Sequence, residues 1–172
     1  MLTKNINFKN YKLKKNNNKI KKDLEILLRE DNEILKSLST GYKNSYNKKT
    51  ISKFKKYSCI RLIGMGGSTL GSESIYNFLK HKIKKKFYFN NNLQSKVKHS
   101  VKKNYANLII SKSGNTLETI SNSNIIIKNN DKNIFITENQ KSYLYLLAER
   151  LKAEIVHHNN FIGGRYSVLS EV

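Results

Sequence analysis

The amino-acid sequence predicts an α/β fold, a doubly wound five-stranded parallel sheet preceded by an N-terminal helical segment. The first observation is a series of short apolar segments, at 59–63, 87–89, 108–110, 134–136 and 154–156. The second is that helical stretches fill the intervals, at about 68–80, 93–102, 115–128 and 140–152. Continuous apolar strands that alternate with helices are typical of a parallel sheet covered on both faces. Right-handed crossovers leave few topologies, and among them we expect strand order 2-1-3-4-5.

We expect the chain to divide into an N-terminal arm with a helical segment, residues 1–57, and a sheet domain, residues 58–172. Residues 1–18 are rich in lysine and asparagine and are expected to form a loosely packed arm. Residues 20–38 predict an amphipathic helix, because apolar side chains recur there at helical spacing. Residues 40–56 are a polar connection.

Length, cysteine content and hydropathy limit the class of protein. A chain of 172 residues suits one ordinary domain with a hydrophobic core. Its single cysteine, Cys59, excludes an internal disulfide and favours a reducing compartment. No apolar run approaches the roughly 20 residues that cross a bilayer, and the lysine-rich start does not resemble a secretory signal. We therefore expect a soluble, cytoplasmic protein with no membrane partner.

The formal net charge of +21 is typical of nucleic-acid-binding proteins. However, the basic residues are almost all lysine, and the arginines are Arg29, Arg61, Arg150 and Arg165. Base-reading surfaces usually depend on arginine, whose planar fork fits guanine and phosphate. The lysines are scattered among asparagine and isoleucine, as A/T-rich codons alone would produce. We therefore expect anionic ligands but no nucleic-acid partner.

A glycine-rich loop, GMGGSTLG at residues 64–71, joins the first strand to the next helix. Glycine permits a sharp turn and lets a ligand approach the backbone closely, and the free amides of a helix N-terminus attract an anion. A dinucleotide-binding fingerprint would need glycine in place of Thr69, and a P-loop would need lysine in place of Ser72. The loop therefore predicts either a site for a small phosphorylated ligand or a tight turn without a ligand.

A second loop, SKSGNTLET at residues 111–119, follows the third strand. Its hydroxyl side chains, Lys112 and the exposed amides of a helix start are groups that bind phosphate. Asn115 and Glu118 have the spacing of a capping box, so we interpret Glu118 as a helix-capping residue. With the expected strand order, the first and third strands are neighbours where the winding reverses, and both loops face one crevice.

These two loops resemble the phosphate-binding loops of sugar isomerase (SIS) domains, over roughly residues 58–172. The resemblance implies an SIS fold that binds a phosphorylated sugar with no cofactor and no metal ion. SIS proteins include isomerases, amidotransferase partners and sugar-sensing regulators. In the first loop the implied substrate contacts are Gly66, Gly67 and Ser68. In the second loop they are Ser111, Lys112, Ser113, Asn115 and Thr116.

A third motif, FIGGRYSVLS at residues 161–170, follows the fifth strand. It is similar to the Gly-Gly-Arg signature of glucose-6-phosphate isomerases, which other SIS proteins generally lack. The resemblance implies reversible conversion of glucose 6-phosphate to fructose 6-phosphate, in glycolysis and gluconeogenesis, by a homodimer. By this resemblance Arg165 is catalytic, since a guanidinium keeps its proton and stabilises the charge of a cis-enediolate intermediate.

The family's catalytic glutamate, histidine and lysine follow the arginine motif, whereas this sequence stops at Val172. We therefore expect an N-terminal fragment that lacks its base and is inactive alone. Ser167 has the character of a helix N-cap. Glu138, after the fourth strand, is interpreted as a helix-start residue. Local candidates for a base are unconvincing: His81, His99, His157, His158 and Glu138.

Several alternatives stay open at this point. The form of the second loop at Ser113 and Asn115 departs from many glucose-6-phosphate isomerases, which leaves room for a bifunctional phosphoglucose/phosphomannose isomerase. A non-catalytic SIS sensor of sugar phosphates would need a helix-turn-helix or similar partner, of which the sequence gives no sign. A nucleic-acid-binding protein is supported by charge alone.

Overall fold

The computed structural model describes residues 18–93 and 104–172, which contain one five-stranded, all-parallel sheet. The strands are β1 (Cys59–Gly64), β2 (Lys86–Asn90), β3 (Tyr105–Ile110), β4 (Asn133–Glu138) and β5 (Glu154–His158). Their spatial order is β2-β1-β3-β4-β5, and every neighbouring pair is parallel. The predicted fold class and strand order are confirmed.

Helices precede the sheet and connect its strands. They are α1 (Asn18–Arg29), α2 (Glu33–Ser37), α3 (Lys48–Phe54), α4 (Gly67–Leu79), α5 (Leu117–Ile126) and α6 (Tyr143–Arg150). A 3₁₀ helix, Gly164–Leu169, follows β5. The helix predicted at 93–102 falls outside the described residues except for Leu93, and the predicted arm at 1–18 falls outside them except for Asn18.

The core occupies both faces of the sheet, because successive strand residues point to opposite sides. Ile63, Ile109 and Phe135 face α5 and α6 and form one buried cluster with residues of those helices. Leu62 and Ile110 lie on the other face in a second buried cluster. The central strands are therefore apolar at nearly every position, which is why they appear in the sequence as continuous runs rather than alternating ones.

The helix predicted over residues 20–38 is broken in the structure. Asn32 adopts an extended backbone, and its side chain accepts a 2.8 Å hydrogen bond from the Ile34 amide, so a new helix, α2, begins there. None of the α1 side chains is buried against the described residues, and Ile20, Leu24 and Leu28 are more than half exposed. None of the described helices has the length and apolar character to cross a membrane.

Candidate functional site

The three motif segments meet at the carboxyl-terminal edge of the sheet. We call residues 64–68 the first loop, 111–116 the second loop and 163–170 the arginine segment. A β-carbon at Gly67 would collide with the carbonyl of Gly164, so the first loop lies directly against the arginine segment. A β-carbon at Gly163 would lie 3.0 Å from Cδ of Lys112 in the second loop. The arginine segment therefore contacts both loops, and the sequence motifs share one site.

The first loop is a tight turn whose shape is fixed by its own backbone. Gly66 is the N-cap of α4 and has φ +55°, a left-handed conformation that favours glycine. Its carbonyl accepts 3.0 Å hydrogen bonds from the amides of Thr69 and Leu70. Gly67 and Ser68 are half-buried at the start of α4, beside the arginine segment that Gly67 contacts.

Hydroxyl groups of the second loop pair with each other. Oγ of Ser111 lies 3.0 Å from Oγ1 of Thr116, and Ser111 is only 2% exposed. Oγ of Ser113 accepts a 3.3 Å hydrogen bond from the Asn115 amide. A hydroxyl is both donor and acceptor, so this arrangement keeps the loop closed and leaves hydroxyl groups able to turn toward an incoming anion.

The predicted capping box at Asn115 and Glu118 is wrong. Helix α5 has Thr116 as its N-cap, and no side chain caps it. The Asn115 carboxamide accepts a 2.9 Å hydrogen bond from the Tyr143 amide at the start of α6, so it is not available to α5. Since the Thr116 hydroxyl pairs with Ser111, the first-turn amides of α5 remain without a side-chain acceptor, as an anion site requires.

The interpretation of Glu138 as a helix-start residue is wrong, and its contact with the second loop was not predicted. It ends β4 instead of starting a helix, and α6 begins only at Tyr143. Its carboxylate lies 3.2 Å from Nζ of Lys112 and accepts a 2.7 Å hydrogen bond from Gln140. The register of β3 beside β4 brings the two charged residues together, which no local sequence pattern reveals. The charge of Lys112 is thus partly neutralised from within the fold.

Arg165 is exposed on the 3₁₀ helix, and its guanidinium has no hydrogen-bond or ion-pair partner within residues 18–93 and 104–172. The interpretation of Ser167 as a helix N-cap is wrong, because it lies inside the 3₁₀ helix and donates to the Gly164 carbonyl at 2.8 Å. A β-carbon at Gly71 would collide with Val168, so α4 packs tightly on this helix. Packing fixes the backbone beneath Arg165 and leaves its charge available.

Histidine, cysteine and carboxylate side chains do not gather into groups of three or more in the part of the chain that the structure describes. Cys59 is a free, buried thiol, and burial raises its pKa. The chemistry that the site offers is therefore that of hydroxyl groups, backbone amides, one lysine paired with a glutamate and one unpaired arginine.

No protein-family model matches the chain. Curated proteins named glucose-6-phosphate isomerase do match it in sequence. One from Acholeplasma laidlawii is 34% identical over 139 residues, which cover 69% of this chain and 32% of that protein. One from Methanocaldococcus jannaschii is 32% identical over 146 residues, which cover 77% of this chain and 36% of that protein. The resemblance seen in the motifs is confirmed, and the chain spans about a third of the length of these relatives.

Solved structures share the fold at lower identity. A hypothetical protein from Thermus thermophilus has a TM-score of 0.62 at 20% identity, covering 71% of this chain and 32% of that one. An Escherichia coli protein in complex with a sugar phosphate has a TM-score of 0.62 at 17% identity, covering 89% of this chain and 84% of that one. A Methanococcus jannaschii protein, inferred to be a 3-hexulose-6-phosphate isomerase, has a TM-score of 0.51 at 20% identity, covering 85% and 77%. These likenesses confirm the predicted fold.

Proposed function

We propose that this chain, which belongs to the glucose-6-phosphate isomerase family, is the part of such an enzyme that binds the phosphate of a hexose 6-phosphate and carries Arg165. The whole enzyme interconverts glucose 6-phosphate and fructose 6-phosphate in the cytoplasm, as a homodimer. The observation that carries the proposal is the meeting of all three motif segments, with Gly67 against Gly164 and Gly163 against Lys112.

The second loop holds the phosphate. Its hydroxyl groups at Ser111, Ser113 and Thr116, with the first-turn amides of α5, are donors, and phosphate oxygens are strong acceptors. Lys112 adds positive charge when its Nζ turns from Glu138 toward the ligand. The sugar phosphate bound to the Escherichia coli protein of the same fold supports this class of ligand.

The sugar end of the substrate lies toward the first loop and Arg165. Proton transfer between C1 and C2 passes through a cis-enediolate, in which negative charge develops on oxygen. A guanidinium stabilises that charge best when it is not already neutralised by an internal acid, and Arg165 meets this condition within the described residues. Gly66, Gly67 and Ser68 line the same side, since Gly67 contacts the arginine segment.

The base belongs to a part of the enzyme other than the described residues. A base must lie within hydrogen-bond reach of the proton that it moves. Glu138, the carboxylate beside the second loop, is held by Lys112 and Gln140 and so lies on the phosphate side of the site. The 172-residue chain alone should therefore show no turnover of fructose 6-phosphate in a coupled assay.

Calorimetry tests the proposed binding directly. The chain should bind fructose 6-phosphate and 6-phosphogluconate and should not bind glucose. Ser111→Ala combined with Thr116→Ala should weaken binding by about tenfold or more, since hydrogen bonds to a charged group contribute roughly 1.5–3 kcal/mol. Thr50→Ala is the matched control, because that hydroxyl bonds to Glu154 at the opposite edge of the sheet. Equal affinity for glucose and its phosphate would refute the phosphate site.

A further inference from the structure

A buried histidine–glutamate pair lies beneath the arginine segment. The side chains of His158 and Glu171 are 1% and 2% exposed, and Nδ1 of His158 lies 3.0 Å from Oε2 of Glu171. The other ring nitrogen, Nε2, lies 2.7 Å from the Ile162 carbonyl. A carbonyl only accepts hydrogen bonds, so Nε2 must donate.

Glu171 is a carboxylate in this arrangement. Burial by itself raises its pKa, but hydrogen bonds from its own amide, from the Ser45 amide and from His158 outweigh burial, so its pKa is lowered overall. Both ring nitrogens of His158 therefore have a hydrogen-bond partner, Glu171 on one side and the Ile162 carbonyl on the other.

The two partners of this one ring bracket the arginine segment. Ile162 comes immediately before Gly163, and Glu171 comes immediately after Ser170. The ring thus joins the beginning and the end of the turn that carries the exposed Arg165. A turn whose two ends are tied to a buried group has less conformational freedom than one tied at a single end.

Residues before the sheet anchor the same pair from the other side. Tyr42 Oη donates to Oε1 of Glu171 at 3.2 Å, and the Ser45 amide donates to the same oxygen at 3.3 Å. Asn159 donates to Glu33 at 3.2 Å, so α2 is tied to the turn after β5 as well. The pair is therefore held by Tyr42 and Ser45 before the sheet and by Ile162 after β5.

We propose that His158 and Glu171 are positioning residues, which hold the arginine segment so that Arg165 faces the sugar end of the substrate. This inference rests on the proposed function of Arg165. Both side chains are buried, and their contacts act on the backbone at residues 162 and 171. Loss of the pair should loosen the arginine segment while the second loop, built on β3 and α5, keeps its affinity for phosphate.

The test uses His158→Gln and Glu171→Gln, with His157→Gln as matched control. His157 is the adjacent residue, but it is exposed and its ring lies against Tyr145, with centroids 6.3 Å apart, away from the arginine segment. Hydrogen exchange of the amides at 163–170, measured without ligand, should accelerate by about tenfold or more in the two test variants. The exchange rates of the control variant should match those of the unmodified chain.

The second readout separates positioning from general stability. 6-Phosphogluconate has a carboxylate at the sugar end and glucitol 6-phosphate does not, so the ratio of their affinities reports the contribution of Arg165. In both test variants this ratio should fall by about tenfold, toward the ratio of Arg165→Met, because misplacing a charged group by about 1 Å has effects of this size or larger. The affinity for glucitol 6-phosphate should stay within about twofold of that of the unmodified chain.

Unchanged exchange at 163–170 would overturn the proposal, and so would equal weakening of both ligands. If His158→Gln does not fold, Tyr42→Phe removes one hydrogen bond to Glu171 and should give the same changes at smaller size. If the unmodified chain binds neither phosphorylated ligand, the proposed function is refuted, and so is the proposed role of Arg165 toward the substrate. Hydrogen exchange would then still decide whether His158 and Glu171 hold the segment.

Discussion

Arg61 and Arg165 lie at opposite ends of the strands of the sheet. Arg61 is buried and paired, whereas Arg165 is exposed. Arg61, on β1, is 5% exposed. It donates to Asn107 at 2.8 Å and to Asp131 at 3.3 Å, and its guanidinium lies 4.6 Å from the ring centre of Tyr105. Arg165 is exposed and has no such partner within residues 18–93 and 104–172.

The difference separates a polar group that maintains the fold from one that stays unpaired among the described residues. At the amino-terminal edge, Asp131 also accepts from the Tyr105 hydroxyl at 2.6 Å and from the Lys128 amide at 3.1 Å, so the network around Arg61 is closed. Buried charges need such a full set of partners. At the carboxyl-terminal edge, Arg165 has a fixed backbone and no partner for its charge among the described residues, the combination that its proposed role at a charged transition state requires.

The largest expected effect is on stability. Arg61→Met should lower the free energy of unfolding by about 3–5 kcal/mol, because it leaves the Asp131 carboxylate buried without its cation. Arg165→Met should change it by less than about 0.5 kcal/mol, since the side chain is exposed. Urea unfolding followed by circular dichroism measures both. Equal losses from the two substitutions would contradict the distinction between the edges.

The next effect is on ligand affinity, for which the substitution of Arg165 should matter more than the substitution of Arg61. Arg165→Met should weaken 6-phosphogluconate by about 10- to 100-fold, because a hydrogen-bonded charge contributes roughly 1.5–3 kcal/mol. Glucitol 6-phosphate, which lacks the carboxylate, should bind as before. Arg61→Met, assayed at a temperature where it stays folded, should bind both ligands normally. A loss for both ligands in Arg165→Met would place the arginine at the phosphate instead.

A smaller effect concerns the two Lys–Glu pairs at opposite edges. Glu138→Gln should strengthen the binding of inorganic phosphate by about two- to fivefold, because Lys112 loses the carboxylate that neutralises it. Glu154→Gln removes the partner of Lys53 at the amino-terminal edge and should leave phosphate affinity unchanged. Weaker phosphate binding in Glu138→Gln would mean that Glu138 orients Lys112 rather than competing for it.

Much of the fold could be predicted because its signals are local. Buried parallel strands are continuous apolar runs, and glycine marks the turns that follow β1 and β3, so the sheet, its order and the motif segments were all predicted. The break between α1 and α2 is also a local signal, the Asn32 cap, but the apolar periodicity over residues 20–38 concealed it.

The unpredicted features of the site depend on contacts between residues distant in sequence. Asn115 does not cap α5 because the Tyr143 amide, 28 positions away, takes its carbonyl oxygen. Glu138 meets Lys112 only through the pairing of β4 with β3. Periodicity carries no information on such pairs. The adjacent histidines at the end of β5 are an example. Strand alternation predicts that their side chains point to opposite faces, but it does not predict that His158 contacts Glu171.

The smallest expected effect is a pH dependence that adds the His158–Glu171 pair to the comparison. The pKa of Glu171 is lowered from its ordinary value of 4.5, so the folded state binds its proton less readily than the unfolded state does. The stability that Glu171 contributes is therefore fully present above pH 4.5 and is lost as the pH falls below it. The difference in unfolding free energy between the unmodified chain and Glu171→Gln should be largest near neutral pH and should narrow in acid. Denaturant unfolding across about pH 3–7 measures it. A difference that stayed constant down to about pH 3 would show that Glu171 acts through shape alone.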